Sequence, residues 1–417
     1  MHSLIYRSIP LCQHGHLCTG GYGTVCRLDD GRVVKFMDIA TWNENCNLVS
    51  RNTKEIMILK SLELVADASV DFIPVVDTLI SDDDFLRKSM RVAVVMPDYG
   101  CDLYVEARRL KYDEKLRMLP GMLCQLVRAL AWFERHGIVH MDIKPANICM
   151  AADGHLTVID FSLACLRRYG SQPPLMYGTE SYADPGFLVK PQAAAHEYDM
   201  FTVGTSLLGF LNASFPRKDK WRRIPCGRSS GYQNLMIENY LRIPEHRIRA
   251  QGIAPDSVEL IRLMVDSDPV RRVTPKEAWD FMAARPEFSE AVGTTSFIPI
   301  RNQGAESIRC PEPVASAIAW CSRCRLALSP GIAIIGRMRM ARTVLARYCR
   351  LCSLPPNRRN ARVYALAAVC LINLVYEDRS ISATELAAAF GLHETLCEML
   401  FNTAMMNILQ ALDWRCL

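Results

Sequence analysis

The chain has 417 residues, half of them hydrophobic, with a formal net charge of +5 and 17 cysteines. So small a basic excess excludes a dedicated nucleic-acid binder, and no direct nucleic-acid contact is expected. The odd cysteine count, the chain length and a start, Met1-His2-Ser3-Leu4-Ile5-Tyr6-Arg7, without a signal-peptide pattern argue against a secreted disulfide framework and for reduced intracellular thiols.

The length accommodates one large unit and a further small domain. Leu17-Cys18-Thr19-Gly20-Gly21-Tyr22-Gly23-Thr24-Val25 is a glycine-rich loop, of the kind whose backbone N–H groups approach phosphate oxygens with no Cβ in the way. Taken alone it is equally a plain hairpin turn. Asp29-Asp30-Gly31, set between Val25-Cys26-Arg27-Leu28 and Arg32-Val33-Val34-Lys35-Phe36, predicts a hairpin that puts Lys35 on the third strand. A helical segment follows, with Glu55, Ile56, Leu59 and Leu62 near one stripe. A glutamate in that position is costly unless paired, and Lys35 is the expected partner. Val92-Ala93-Val94-Val95-Met96 predicts a buried strand, and Pro97-Asp98-Tyr99-Gly100 a hinge to a larger lobe. The spacing of Leu116, Leu119, Leu123, Leu126, Leu130 and Phe133 predicts a long amphipathic helix from about Asp113 to His136.

That helix leads into His140-Met141-Asp142-Ile143-Lys144-Pro145-Ala146-Asn147; Asp160-Phe161-Ser162 follows, after the short apolar strand Leu156-Thr157-Val158-Ile159. Phosphoryl transfer needs a carboxylate to orient a hydroxyl, oxygen ligands for Mg²⁺ and cations on the phosphates, and this stretch supplies all three. The joint spacing resembles the catalytic and metal-binding loops of protein kinases. Later motifs continue the resemblance: Gly178-Thr179-Glu180-Ser181-Tyr182-Ala183-Asp184-Pro185-Gly186 is similar to the end of an activation segment, Asp199 to the aspartate that ties down the catalytic loop, and Asp268-Pro269-Val270-Arg271-Arg272-Val273-Thr274 to a late D-P-x-x-R-x-T motif.

The resemblance implies an α+β bilobal kinase fold over residues 11–290, with an N-lobe of about 11–96 and a C-lobe of about 100–290. Residues 291–417 are then a linker and an α-helical C-terminal region. It implies ATP with Mg²⁺, or Mn²⁺, as cofactors. Asp142 would accept the substrate hydroxyl's proton, while Lys144, the mark of Ser/Thr kinases, would contact the γ-phosphate and Thr179 would bond both. Asn147 and Asp160 would hold metal. Leu17, Gly20, Gly21, Gly23, Val25, Lys35, Glu55 and Met96, the last as gatekeeper beside the adenine pocket, would form the ATP site.

Several positions depart from the family pattern: Cys18 for the first loop glycine, Met141 in H-R-D, Ser162 in D-F-G, and Gly186 for the A-P-E glutamate. The last change takes away Arg272's usual partner, leaving Asp184 or Glu180 as substitutes. With the short N-terminal extension and helical tail, these variants resemble the conserved Ser/Thr kinases of herpesviruses, the gammaherpesvirus branch above all. That likeness implies a kinase of the virion tegument and host nucleus. Its implied substrates are viral tegument and replication proteins and host nuclear proteins such as lamins, with nucleoside analogues as a side activity. Methionine at position 141 cannot grip a phosphorylated loop as arginine does, so activity independent of activation-loop phosphorylation is expected.

Beyond about Ala291 the kinase pattern stops. Between Arg323 and Arg362 ten arginines occur without one acidic residue, fitting a solvated helix face or a docking face for an acidic partner. Cys321/Cys324 and Cys349/Cys352 form two C-x-x-C pairs; zinc would need all four thiolates to converge. Val363 to Tyr376 is the longest apolar stretch, contains Asn373 and falls short of the roughly 20 residues that span a bilayer, so a buried helix in a soluble protein is expected. Leu386 to Leu400 faintly resembles a helix-turn-helix, but Glu394 and Glu398 would repel DNA, which favours an αα-hairpin. Two other function classes stay open: a pseudokinase scaffold, and a small-molecule phosphotransferase of the aminoglycoside-kinase type. Lys144, Asp199 and Arg272 weigh against the latter.

Overall fold

The computed structural model describes residues 11–20, 23–41, 46–63, 70–76, 78–84, 89–166, 178–179, 182–184, 196–212, 254–266, 268–293, 317, 333–352, 356, 360–377 and 394–412. Strands β1 (Leu11–Gly20), β2 (Gly23–Leu28), β3 (Val33–Thr41), β4 (Thr78–Asp84) and β5 (Ser89–Met96) make one antiparallel sheet in the order β1-β2-β3-β5-β4. The expected hairpin is there: β2 pairs with β3 so that Val25 faces Lys35 and Cys26 faces Val34. Alternation along the strands turns Cys26, Leu28, Val34 and Phe36 inward with Ala93 and Val95, forming a small core, while Arg27 faces out. Helix α1 (Cys46–Leu62) carries Glu55 and packs on β3.

The larger lobe starts at β6 (Cys101–Asp102) and α2 (Leu103–Arg109), where Asp102 caps the helix by accepting from Val105 N at 2.8 Å. Helix α3 (Tyr112–His136) is the axis of this lobe. All six apolar positions of its expected stripe are buried, and Gly137 in the left-handed conformation ends it. Short strands β7 (Ile138–Val139), β8 (Ile148–Met150), β9 (Leu156–Val158) and β10 (Cys165–Leu166) follow, β6-β8-β9 forming one small sheet and β10-β7 another. Helices α4 (His196–Asn212), α5 (Pro255–Met264), α6 (Pro275–Ala283) and α7 (Ser289–Gly293) complete the lobe, with α4 and α6 packed on α3. This is the bilobal arrangement expected from the sequence.

Three C-terminal helices, α8 (Ala333–Leu351), α9 (Ala361–Glu377) and α10 (Glu394–Ala411), are joined by stacking of Tyr348 on Tyr364 and by Asn407 donating to the Tyr364 hydroxyl at 2.7 Å. The apolar stretch from Val363 is helical as expected, and Ala365 to Ile372 are all buried. No helix among the described residues is long and apolar enough to cross a membrane. Helix α9 also packs on α1 and β10, so its core is continuous with that of the large lobe. Of the arginine run, Arg339, Arg342, Arg350 and Arg362 are exposed. Cys349 and Cys352 lie at the end of α8, where the Cys352 thiol donates to the Tyr348 hydroxyl at 3.3 Å. Cys321, Cys324 and the stretch Leu386 to Leu392 lie outside the described residues.

Candidate active site

The loop between β7 and β8 is fixed from below. Asp199, at the start of α4, is buried and accepts from the backbone N–H of His140 at 2.7 Å and of Met141 at 2.9 Å. Burial pushes its carboxyl up to about 7, while those two donors pull the other way. His140 is buried and kept neutral by that burial. Its Nδ1 accepts from Asp142 N at 3.3 Å, which leaves Nε2 to donate to Ile159 O at 3.1 Å. One imidazole thereby spans the two loops that carry Asp142 and Asp160. Phe161 closes the floor, 4.7 Å from the His140 ring and 5.7 Å from Phe133 of α3.

Above this floor Asp142 is the centre of a compact set of bonds. Its Oδ1 accepts from Thr179 N at 2.7 Å and Thr179 Oγ1 at 2.8 Å; its Oδ2 accepts from Lys144 Nζ at 2.6 Å. Lys144 also donates to Thr179 Oγ1 at 2.9 Å. Asn147 Nδ2 donates to Asp142 O at 2.9 Å and reaches Oδ2 at 3.2 Å. Such a set requires the segment at 178–179 to sit directly on the loop. Gly178 allows this, since a Cβ there would lie 2.1 Å from Met141 O. Met141 (φ 68°) and Asp160 (φ 65°) are non-glycine residues held in left-handed backbone, a cost that the surrounding bonds sustain.

The second half of the site comes from the sheet. Lys35 Nζ bonds both oxygens of Glu55, at 2.8 and 2.7 Å, and lies 3.9 Å from Asp160 Oδ1. Burial raises the Glu55 carboxyl despite Lys35, and Asp160 pushes it the same way. At Asp160 burial also acts upward, but Lys35, the Ser162 side chain and Lys144 outweigh it and hold that carboxyl below its usual range. Gly23 sits at φ 141° with no room for a side chain, since a Cβ would meet Phe36 O at 2.3 Å. Val25 is half-buried opposite Lys35, and Met96 ends β5 opposite Val33, half-buried. Leu17 and Gly20 are placed as backbone in β1; Gly21 lies outside the described residues.

The donor chemistry fits a hard divalent cation: an ionised Asp160 carboxylate, and an Asn147 that turns its amide nitrogen to Asp142 and keeps its oxygen for metal. The question left by Gly186 also has an answer. Arg272 Nη2 lies 2.6 Å from Asp184 Oδ2, both side chains 0 % exposed, and the guanidinium further donates to Asp266 O and Glu197 O. The partner carboxylate thus sits one residue before Pro185 rather than after it; Glu180 and Gly186 lie outside the described residues. Gly178 and Ser206, whose hydroxyl donates to Thr202 O at 2.6 Å and lies 3.4 Å from Ile143 O, are supports that motif reading did not single out. Their signals are a missing Cβ and a small polar residue inside an apolar helix.

Residues 13–281 match the family described as "Protein kinase domain". Over 288 residues the chain is 26% identical to mitogen-activated protein kinase pmk-1 of Caenorhabditis elegans, covering 63% of this chain and 72% of that one. It is 27% identical over 197 residues to the SNF1-like protein kinase ssp2 of Schizosaccharomyces pombe (46% and 31%). It is also 25% identical over 221 residues to the probable serine/threonine-protein kinase MARK-B of Dictyostelium discoideum (53% and 28%). The chain thus spans only about a third of these last two relatives. With a family match over more than half its length, the chain belongs to the protein kinase domain family, as an ATP-dependent Ser/Thr protein kinase that uses Mg²⁺.

Proposed function

We propose that Asp142, Lys144, Thr179, Asn147, Asp160, Lys35 and Glu55 are the working residues of an active kinase rather than the remnants of a scaffold. The observation that carries this is the closed set of bonds joining Asp142, Lys144 and Thr179 beside an assembled Lys35–Glu55 pair. In this reading Asp142 orients the incoming Ser/Thr hydroxyl and takes its proton. Lys144 neutralises charge on the phosphoryl group in flight, and Thr179 fixes the angle between them. Lys35, oriented by Glu55, holds the α- and β-phosphates, and the backbone around Gly20, Gly21 and Gly23 covers them. Mg²⁺, held by Asn147 and Asp160, supplies charge neutralisation of the phosphate oxygens when bound. Leu17, Val25 and Met96 border the adenine.

We further propose that residues 11–290 are the catalytic domain, 291–417 its helical extension, and herpesvirus infection its setting, with viral tegument or replication proteins and host nuclear proteins such as lamins as substrates. Met141, Ser162 and Gly186 support that reading as the positions that depart from the general kinase pattern. The test is transfer of labelled phosphate from ATP with Mg²⁺ or Mn²⁺ to a mixed Ser/Thr/Tyr peptide library and to purified lamin. Transfer to Ser/Thr that vanishes in Lys35→Met and Asp142→Asn is the expected result; nucleotide binding without transfer by the wild type would support the scaffold instead. Since Met141 cannot bond a phosphate, Tyr169→Phe, Ser171→Ala, Tyr177→Phe together should leave transfer intact.

A further inference from the structure

Nine consecutive residues of α1, Asn52 to Lys60, are buried. A helix on the outside of a lobe keeps a polar face in water, and this one has the residues for it in Asn52, Thr53, Lys54 and Lys60. Full enclosure therefore requires cover on all sides. The Glu55 side is occupied by Lys35 on β3 and by the turn at Phe161–Leu163, both packed on α1. At about 100° per residue, Thr53, Met57 and Lys60 lie on the opposite side. Met57 there is 0 % exposed. Among the described residues α9 is a further element packed against α1, itself buried on every face from Ala365 to Ile372. Helix α9 also packs on β10, the strand that opens the segment after Asp160. It thus touches both parts whose placement decides whether a kinase is competent: the helix bearing the glutamate and the start of the activation segment.

We infer that α9 is a positioning element for phosphoryl transfer: by covering the face of α1 opposite Glu55, it holds the Lys35–Glu55 pair assembled without a separate activating partner. A solvent-accessible α1 could rotate Glu55 away at little cost, whereas here rotation would have to push aside the side chains packed on every face of α1. The covalent tail keeps its effective concentration at α1 high at any dilution. This rests on the reading of Lys35 and Glu55 as working residues.

The test uses the full chain. Met57→Arg places a charge in the seam and Met57→Ala a gap; Glu55→Gln, alone and combined with each, reports whether α9 acts through the pair. Turnover at saturating ATP should fall at least about tenfold in Met57→Arg and about threefold in Met57→Ala, yet less than twofold further when Glu55 is already glutamine. An equal loss in both backgrounds, or unchanged turnover in Met57→Ala, overturns the proposal. Should Met57→Arg not fold, Met57→Ala and wild-type hydrogen exchange decide. In wild type the α1 amides should exchange within about tenfold of those of α3, and exchange a hundredfold faster would also overturn it. A wild type without transfer would instead remove the kinase reading itself.

Discussion

The two halves of the site are held by different physics. The half in the large lobe, from His140 to Asn147, is fixed by buried hydrogen bonds whose partners are few and specific: Asp199, Thr179 and Ile159. The half in the small lobe depends on one ion pair, Lys35–Glu55, on a helix held by apolar packing. A hydrogen-bonded loop is lost in steps, as each donor or acceptor left unpaired costs about 1–3 kcal/mol. A packed helix can shift as a body with every local bond intact. The first half is therefore built to stay as it is, and the second is where activity can be set.

The largest expected effect changes chemistry in the rigid half, at the cost of part of the bonds that Asp142 accepts from Thr179 and Lys144. Asp142→Asn keeps the size of the side chain but removes the proton acceptor, and turnover should fall by about 10²–10⁴ with nucleotide binding retained. Single-turnover transfer beside a nucleotide-binding titration separates the two. Loss of binding in the same proportion would mean that Asp142 holds the structure rather than serves the reaction.

Next comes the bolt beneath that half. Arg272→Ala leaves Asp184 buried without its countercharge and should destabilise the fold by about 3–5 kcal/mol, read as a fall in the denaturant midpoint at unchanged slope. The double change Arg272→Met, Asp184→Leu should recover much of that loss. Asp184→Glu cannot do so, because the site is closed on both side chains.

In the other half the expectation reverses. Glu55→Gln removes a carboxylate that burial already disfavours, so stability should change by less than about 1 kcal/mol, while turnover drops tenfold or more as Lys35 loses its anchor. A thermal melt and a kinetic assay on the same preparation check this. A large melting shift with normal turnover would reverse the comparison between the two halves.

How much of this was legible in the sequence follows the same division. The hairpin that places Lys35 and the stripe of α3 are local patterns, and an Asp-Gly turn or a period of 3.6 fixes them within one element. The link between Glu55 and Lys35 was legible because a glutamate beside apolar neighbours demands a partner. Choosing between Asp184 and Glu180 for Arg272 was not, since the two carboxylates are only four positions apart in sequence and the tertiary path alone brings Asp184 to the guanidinium. Least legible was the cover over α1. The run from Ala365 to Ile372 announces a helix buried all round, but an apolar helix carries no signal for the surface it will meet.

The smallest effect expected is one of pH, and it tests why the rigid half is rigid. Asp199 has its folded pKa raised from 3.8 to about 7, so the folded chain holds this proton more tightly than the unfolded chain does. Its contribution to stability is then full below about pH 4, declines as the pH rises toward 7 and is flat beyond. Asp199→Asn cannot titrate. It should be less stable at every pH by an offset of about 1–3 kcal/mol, because an amide offers one oxygen to two backbone donors. The gap between wild type and variant should also be wider at pH 6 than at pH 8, by about 1 kcal/mol. Melting curves of both proteins across that range measure it. A gap that widens instead as the pH rises would mean that the His140 and Met141 amides outweigh burial, and that the loop is held by a carboxylate charged throughout.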